Sequence, residues 1–180
     1  MQLTDFSEKI MKHQTLEQKT LEHIDFTQAT FTNSKFIECQ FRRCNFSLVK
    51  VDGCRFQGCM FEGCKFVGVN FCNVEKMFLS LSFKNCLIET CNFSDLDLKG
   101  AHFEECLIRN TYFTNTILTN ASFAKSDLQG STFHNADLSH ANFKEAINYM
   151  INPLTNKLTQ ARFSKPEVMK LLDHLGVIIE

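Results

Sequence analysis

The chain has 180 residues, 19 Lys or Arg against 20 Asp or Glu, 19 Phe, nine Cys and no Trp. A net charge of −1 makes no strong electrostatic case for binding nucleic acid or a membrane. No apolar run reaches transmembrane length, and the size suits one domain.

The N-terminal segment 1–23 is polar and lacks the apolar core of a secretion signal, so a cytoplasmic location is expected. Asp5–His13 reads as a short capping helix. Leu16 and Leu21 extend backwards the period of five that follows, but the residues two before them, Gln14 and Lys19, do not belong in a core. Leu16–His23 is therefore expected as an irregular first coil.

From Phe26 a large apolar residue stands at every fifth position: to Phe71 in a first run, and from Phe83 to Phe143 in a second. Of these 23 positions 16 are Phe. A period of five fits neither helix nor strand and has to be a repeat architecture, in which stacked units bury a continuous core. Two residues before the centre, in most units, stands a small residue, such as Ala29, Cys39, Cys64, Ser126 or Ala141, which should also point inward. Two residues after it stand six of the seven glycines and Asn33, Asn73, Asn85, Asn110, Asn115, Asn120 and Asn135. Gly and Asn accept positive φ cheaply, so each pentad is expected to contain a turn.

A bridge and a turn every five residues predict a four-sided coil in which residues twenty apart stack. Twenty-three pentads make about six coils, a rod of about 28 Å at the inter-strand spacing. In the second run Phe alternates with Leu or Ile, which places Phe on two opposite faces. Between Phe71 and Phe83 the register slips by two residues, so a small bulge is expected around Val74–Leu81. The expected division is a cap and first coil at 1–23, the repeat at 24–146, and a C-terminal segment at 147–180.

The tail has the grammar of an α-helix. Ser164 is an N-cap candidate, Glu167 completes a capping box, Pro166 suits the first turn and Gly176 a C-terminal stop. Val168, Leu171, Leu172 and Leu175 form one apolar face, extended by Val177 and the residues after it. This segment is expected to cap the open end of the coil, to pair two copies, or both.

The pentads Ala136-Asp137-Leu138-Ser139-His140 and Ala141-Asn142-Phe143-Lys144-Glu145 resemble the motif of the pentapeptide-repeat family, small–polar–Leu/Phe–polar–polar. The resemblance implies an all-β solenoid, a right-handed quadrilateral β-helix, here with a C-terminal α-helical cap. The tail, with Ile151-Asn152-Pro153, Ala161–Glu167 and Leu171–Ile179, is similar to the end of the Qnr and McbG group. That similarity implies binding to DNA gyrase or topoisomerase IV by mimicry of duplex DNA, protection against quinolones or a toxin, and a homodimer formed through the C-terminal helix.

Catalytic chemistry is not expected. Gly53, Gly58, Gly63 and Gly68 belong to turns rather than a phosphate loop. His102, His134 and His140 fall at outward positions, and eight of the nine Cys take the inward small place, leaving Cys72 outside it. Free Cys often serves as a small buried hydrophobe, so no metal or cofactor is expected. Two surface features remain as candidates. The first is the acidic set Glu89, Asp95, Asp97, Glu104, Glu105, Asp127 and Asp137, which a DNA mimic would use. The span 83–146 carries a net −3 and 24–73 a net +2, so the acids lie in the second half. The second is the outward apolar group Leu87, Leu107, Tyr112 and Ile117, which would suit a scaffold or adaptor with an unrelated protein partner. Leu87 and Leu107 are twenty apart and should be neighbours.

Overall fold

The computed structural model of the chain describes residues 10–177. It is a parallel β-solenoid of about seven turns with four faces. The strands are short because each pentad has room for only about three extended residues before its turn. In Lys35–Ile37, Gln40–Arg42 and His102–Glu104 only the middle residue is buried, the alternation expected of an extended segment.

Stacking runs at twenty residues. On the first face Leu16, Phe36 and Phe56 lie in register, and later Asp97, Ile117, Asp137 and Lys157 bridge in sequence. The second face aligns Leu21, Phe41, Phe61, Phe83 and Phe103 in one five-stranded sheet. The third carries the ladder Asp25, Asn45, Lys65, Leu87, Leu107, Asp127 and Ile147. The fourth carries Asn70, Asn92, Tyr112, Thr132 and Met150. As the alternation predicts, Phe rings of the second half occupy the second and fourth faces. Phe83, Phe103, Phe123 and Phe143 stack nearly parallel at about 5 Å, and Phe93, Phe113 and Phe133 stack opposite them. The two columns meet edge to face, as in Phe103–Phe113 at 5.6 Å.

Coiling reaches beyond the expected span 24–146 at both ends, which raises the expected six coils to about seven. Thr15–Glu17 and Thr20–Glu22 form regular strands in register with the next coil, so the first coil is not irregular. Gln14 and Lys19 are exposed there. Of the expected helix Asp5–His13, the part before Ile10 lies outside the described residues, and Ile10 bridges Thr30 in parallel. At the other end Met150–Ile151 and Arg162–Phe163 continue the ladders. A second slip occurs here: Phe133 aligns with Ile151, eighteen residues on.

The corners hold left-handed residues, but Gly and Asn are only part of the set. Glu38, Arg43, Leu48, Thr90, Lys125 and His140 also have φ between 51° and 60°. Asn73 departs from the pattern, and its amide donates to the Asp52 carboxylate at 2.8 Å. At Gly53 the backbone is left-handed (φ +67°), which is what favours glycine there; an added Cβ would otherwise meet only the end of the exposed Asn33 side chain.

The turns are closed in two ways. In some, the N–H three residues after the centre donates directly to the centre's carbonyl, as from Ala101 to Leu98 and from Ala121 to Leu118. In others that bond is absent, and the small inward residue of the next coil bridges the gap. Ser126 Oγ accepts from Cys106 N–H at 2.9 Å and donates to Phe103 C=O at 2.7 Å. Ser131 does the same between Thr111 and Ile108, and Cys64 between Cys44 and Phe41. Asn156 closes the last such turn, accepting from Ala136 N–H and donating to Phe133 C=O. The inward place therefore selects for a small hydrogen-bonding group, not only for size.

The bulge expected around Val74–Leu81 is present, with Val74 and Leu81 buried at its two ends. Leu79 packs against the core between them, while Met77 and Phe78 project outward.

The C-terminal helix, Glu167–Leu175, is a 3₁₀-helix rather than the expected α-helix. Its capping box does not form. Ser164 Oγ accepts from Glu145 N–H at 3.0 Å, and Glu167 accepts from Asn148 N–H at 2.7 Å. Both side chains satisfy donors on the coil below, just beyond the last strand pair, Asn142–Phe143 with Arg162–Phe163. The first turn then closes by a tight bond from Met169 N–H to Pro166 C=O. Gly176, at φ +67°, ends the helix as expected.

Candidate partner-binding surface

The outward positions form a convex, four-sided exterior. Around Gly63 the missing side chain leaves a shallow notch between Glu22, His23, Arg42, Arg43, Glu62 and Asn85. Arg42 spans this region, with Glu22 at 3.1 Å on one side and Glu62 at 3.7 Å on the other. Lys84 follows Glu62 in register and Glu104 follows Lys84, so charge alternates up this column and the second face is largely self-neutralised. Among the described residues no group of three or more His, Cys, Asp or Glu could hold a metal ion.

The seven candidate acids are distributed around the rod. Asp97 and Asp137 share the first face, two coils apart with Ile117 between them, and Asp95 occupies the adjoining corner. Glu89 and Asp127 lie on the third face, Glu104 on the second, and Glu105 at the corner between these two. Several already have partners: Lys157 reaches Asp137 at 3.0 Å, Lys125 reaches Glu105 at 4.0 Å, and His102 lies 3.2 Å from Glu104. Asp95 accepts from the Asn115 amide at 3.0 Å, and Asp127 from that of Asn148 at 2.8 Å. Asp97, Asp137 and the corner residue Asp95 thus lie along one edge, while Glu104 and Glu105 are neighbours on another and Glu89 and Asp127 lie on the third face.

The apolar candidates are divided too. Leu87 and Leu107 are in-register neighbours on the third face, Leu87 half-buried and Leu107 45 % exposed. Tyr112 stands exposed on the fourth face and Ile117 on the first. Larger exposures went unread in the sequence: Met77 and Phe78 at 62 % each, and Met150 and Leu154 near the C-terminal end. The signal for the first pair was their position inside the slip. In the C-terminal helix Val168, Leu171 and Leu172 are half-buried, with Leu171 against the core. Leu175 and Val177 are exposed, and the residues after Val177 lie outside the described part.

Eight cysteines are buried and unbridged, in the inward places the spacing predicts. Burial pushes the thiols of Cys59 and Cys91 up to about 12, and a hydrogen bond with Cys106 followed by burial does the same for Cys86. Such thiols stay protonated and unreactive. Cys72 is half-exposed, and burial together with Asp95 raises its pKa. Native-state labelling with a maleimide at mildly alkaline pH should add a single adduct, at Cys72, with the other eight modified only after denaturation. Intact mass before and after denaturant gives the count.

Two models of this repeat match the sequence: one described as a pentapeptide repeat region, over residues 54–133 and 76–163, and one of nine pentapeptide copies, over 26–75. No curated protein matches the chain in sequence. Among solved structures it is similar to a trypsin-treated form of QnrB1, a plasmid-mediated fluoroquinolone resistance protein. The identity is 18% over 95% of this chain and 100% of that one, with a TM-score of 0.44. It is also similar to HetL, a pentapeptide-repeat protein involved in heterocyst differentiation regulation from the cyanobacterium Nostoc. That identity is 15%, over 83% and 85% of the two chains, with a TM-score of 0.37. Likeness at these identities concerns the fold alone. With matched repeats running from residue 26 to 163 through the stacked coils, the chain belongs to the pentapeptide-repeat family.

Proposed function

We propose that this protein is a non-enzymatic, cytoplasmic protein-binding rod whose partner is DNA gyrase or topoisomerase IV. It would meet the enzyme's DNA-binding surface with carboxylates set where a duplex carries phosphates. The observation that carries this reading is the edge of Asp95, Asp97 and Asp137. Asp97 and Asp137 stand in one ladder two coils apart, about 10 Å at the strand spacing, with Asp95 at the adjoining corner. The similarity of the tail to the Qnr and McbG group supports the same partner. The exposed Leu175 and Val177 support pairing of two copies through the C-terminal segment.

The test is gyrase supercoiling titrated with purified protein, with and without a quinolone. The expected result is inhibition or drug protection at micromolar or lower concentration. The variant Asp95→Asn/Asp97→Asn/Asp137→Asn should need at least about tenfold more protein. An equally active triple variant would remove the mimicry.

A second reading, an adaptor for an unrelated protein, is favoured by one observation: Leu87 and Leu107 form an apolar pair in register on the third face. It predicts indifference to the three acids and loss of partner binding on Leu107→Asp.

A further inference from the structure

We propose that the rod is hinged at the bulge: the coils before and after it tilt against each other by opening and closing the first face, with the third face as the axis.

The bulge is one regular pentad with two residues inserted. Without Lys76 and Met77 the chain would read Val74-Glu75-Phe78-Leu79-Ser80, with a Phe centre five residues after Phe71 and five before Phe83. With them, Phe78 projects outward and Leu79, only partly buried, packs against the core instead. Every large apolar centre from Phe26 to Phe143 is buried, so this coil has the weakest filling of the repeat.

Main-chain hydrogen bonding is lost on one side of the same coil. Downward it is kept, with Glu75 N–H donating to Cys54 C=O at 2.8 Å and Ser80 N–H to Phe56 C=O at 2.9 Å. Upward, among the described residues, no main-chain hydrogen bond joins Val74–Ser80 to Ser94–Gly100. That upper stretch makes four such bonds with the coil above it: from Asp95 to Thr114, Leu98 to Ile117, Gly100 to Thr119, and Ile117 back to Leu96. Across the gap the tie is a side chain, the Lys76 ammonium donating to Asp95 C=O at 2.9 Å.

The other three faces run past this point without a break. Phe61, Phe83 and Phe103 pair in register on the second, Lys65, Leu87 and Leu107 on the third, and Asn70, Asn92 and Tyr112 on the fourth. A slip does not by itself open a face, since Phe133 still pairs with Ile151 at the second one. A face with no rungs and an incomplete filling opens at lower free energy than its neighbours. The intact ladder on the opposite face holds the coil spacing there, which is the arrangement of a hinge. Lys35 and Arg55 stand on the first face before the gap, and Asp97 and Asp137 after it. Bending re-aims the basic part of this face against the acidic part and lets the rod follow a curved partner.

The experiment is double electron–electron resonance on the full chain in a Cys72→Ser background. Lys35→Cys/Ile117→Cys places spin labels on the first face, and Lys65→Cys/Ile147→Cys on the third. Each pair spans the bulge over four coils, about 19 Å at the strand spacing. The first-face distance distribution should be about twice as broad as the third-face one. Deleting Lys76 and Met77 should restore the rungs and narrow the first-face distribution to the third-face width. Equal widths on the two faces of the parent would overturn the proposal, whether or not the deletion variant folds. So would a deletion variant with the parent's circular dichroism that keeps the broad first-face distribution.

Discussion

Phe103→Ala should lower the free energy of unfolding by about 3–5 kcal/mol, whereas Phe78→Ala should change it by no more than about 0.5 kcal/mol. Phe103 is completely buried and Phe78 is 62 % exposed, so the same chemical change samples opposite ends of the burial range. The Phe103 ring is stacked between Phe83 at 5.0 Å and Phe123 at 5.1 Å, and meets Phe93 and Phe113 edge to face at 5.6 Å. Removing it leaves a ring-sized void that the solenoid cannot close by local collapse. The coil spacing is fixed by backbone hydrogen bonds such as Phe103 N–H to Ser122 C=O at 2.7 Å. Each coil is stabilised mainly by its neighbours, so a break in the middle also uncouples the two halves. Urea unfolding followed by far-UV circular dichroism gives the size, and a second transition in the variant would reveal the uncoupling. A shift smaller than about 1 kcal/mol would mean that the aromatic stack is not the main source of stability.

The period of five made the core legible because each centre meets one simple demand, a large apolar side chain pointing inward. The corners were less legible. Gly53 and Asn115 announce a left-handed turn, but Arg43, Leu48 and Lys125 adopt one as well, because stacking against the neighbouring coils imposes the path once most corners are set. Ser164 and Glu167 show a different failure. Their spacing fits a capping box, but the nearer unpaired donors were Glu145 and Asn148, on the coil below and just past the last strand pair. A local motif was overridden by a long-range need for acceptors.

The candidate surface was legible only where the twenty-residue period was applied to it. Leu87 and Leu107 were paired by that rule and are neighbours. The acidic set was chosen by charge, without folding it through the same period, and it falls on several faces. Asp97 and Asp137, forty apart, are the members that the rule would have kept together. Phe78 is out of phase with every centre, which in a regular repeat is itself a reason to look at a residue. Its exposure could not be read from sequence because it depends on Leu79 filling the core.

Ser126→Ala should cost about 2–6 kcal/mol although it removes one oxygen, and Ser126→Cys should recover most of that loss. Ser126 Oγ stands between two main-chain groups of the coil below, the N–H of Cys106 and the C=O of Phe103, and serves both. Cys106 is 1 % exposed and Phe103 is fully buried, so water has no access to replace the hydroxyl. Each unpaired buried group costs about 1–3 kcal/mol, which is why one side chain carries the sum of two. A thiol is a weaker donor and acceptor, but Cys64 fills this role lower in the solenoid, with 3.4 Å to both Cys44 N–H and Phe41 C=O. The same place bridges through oxygen at Ser34 near the start of the rod, between Gln14 N–H and Met11 C=O, and again at Thr111 and Ser131 higher up. An Ala there, as at Ala101 or Ala121, should be harmless only where the turn below closes its own bond. Ala121 meets that condition, since Ala101 N–H donates to Leu98 C=O at 3.0 Å. Ala121→Ser should therefore give no comparable gain, and equilibrium unfolding of the three variants separates a bridging role from a purely steric one. If Ser126→Ala unfolds like the parent, the inward place selects for size alone and the high content of Cys, Ser and Thr there has another cause.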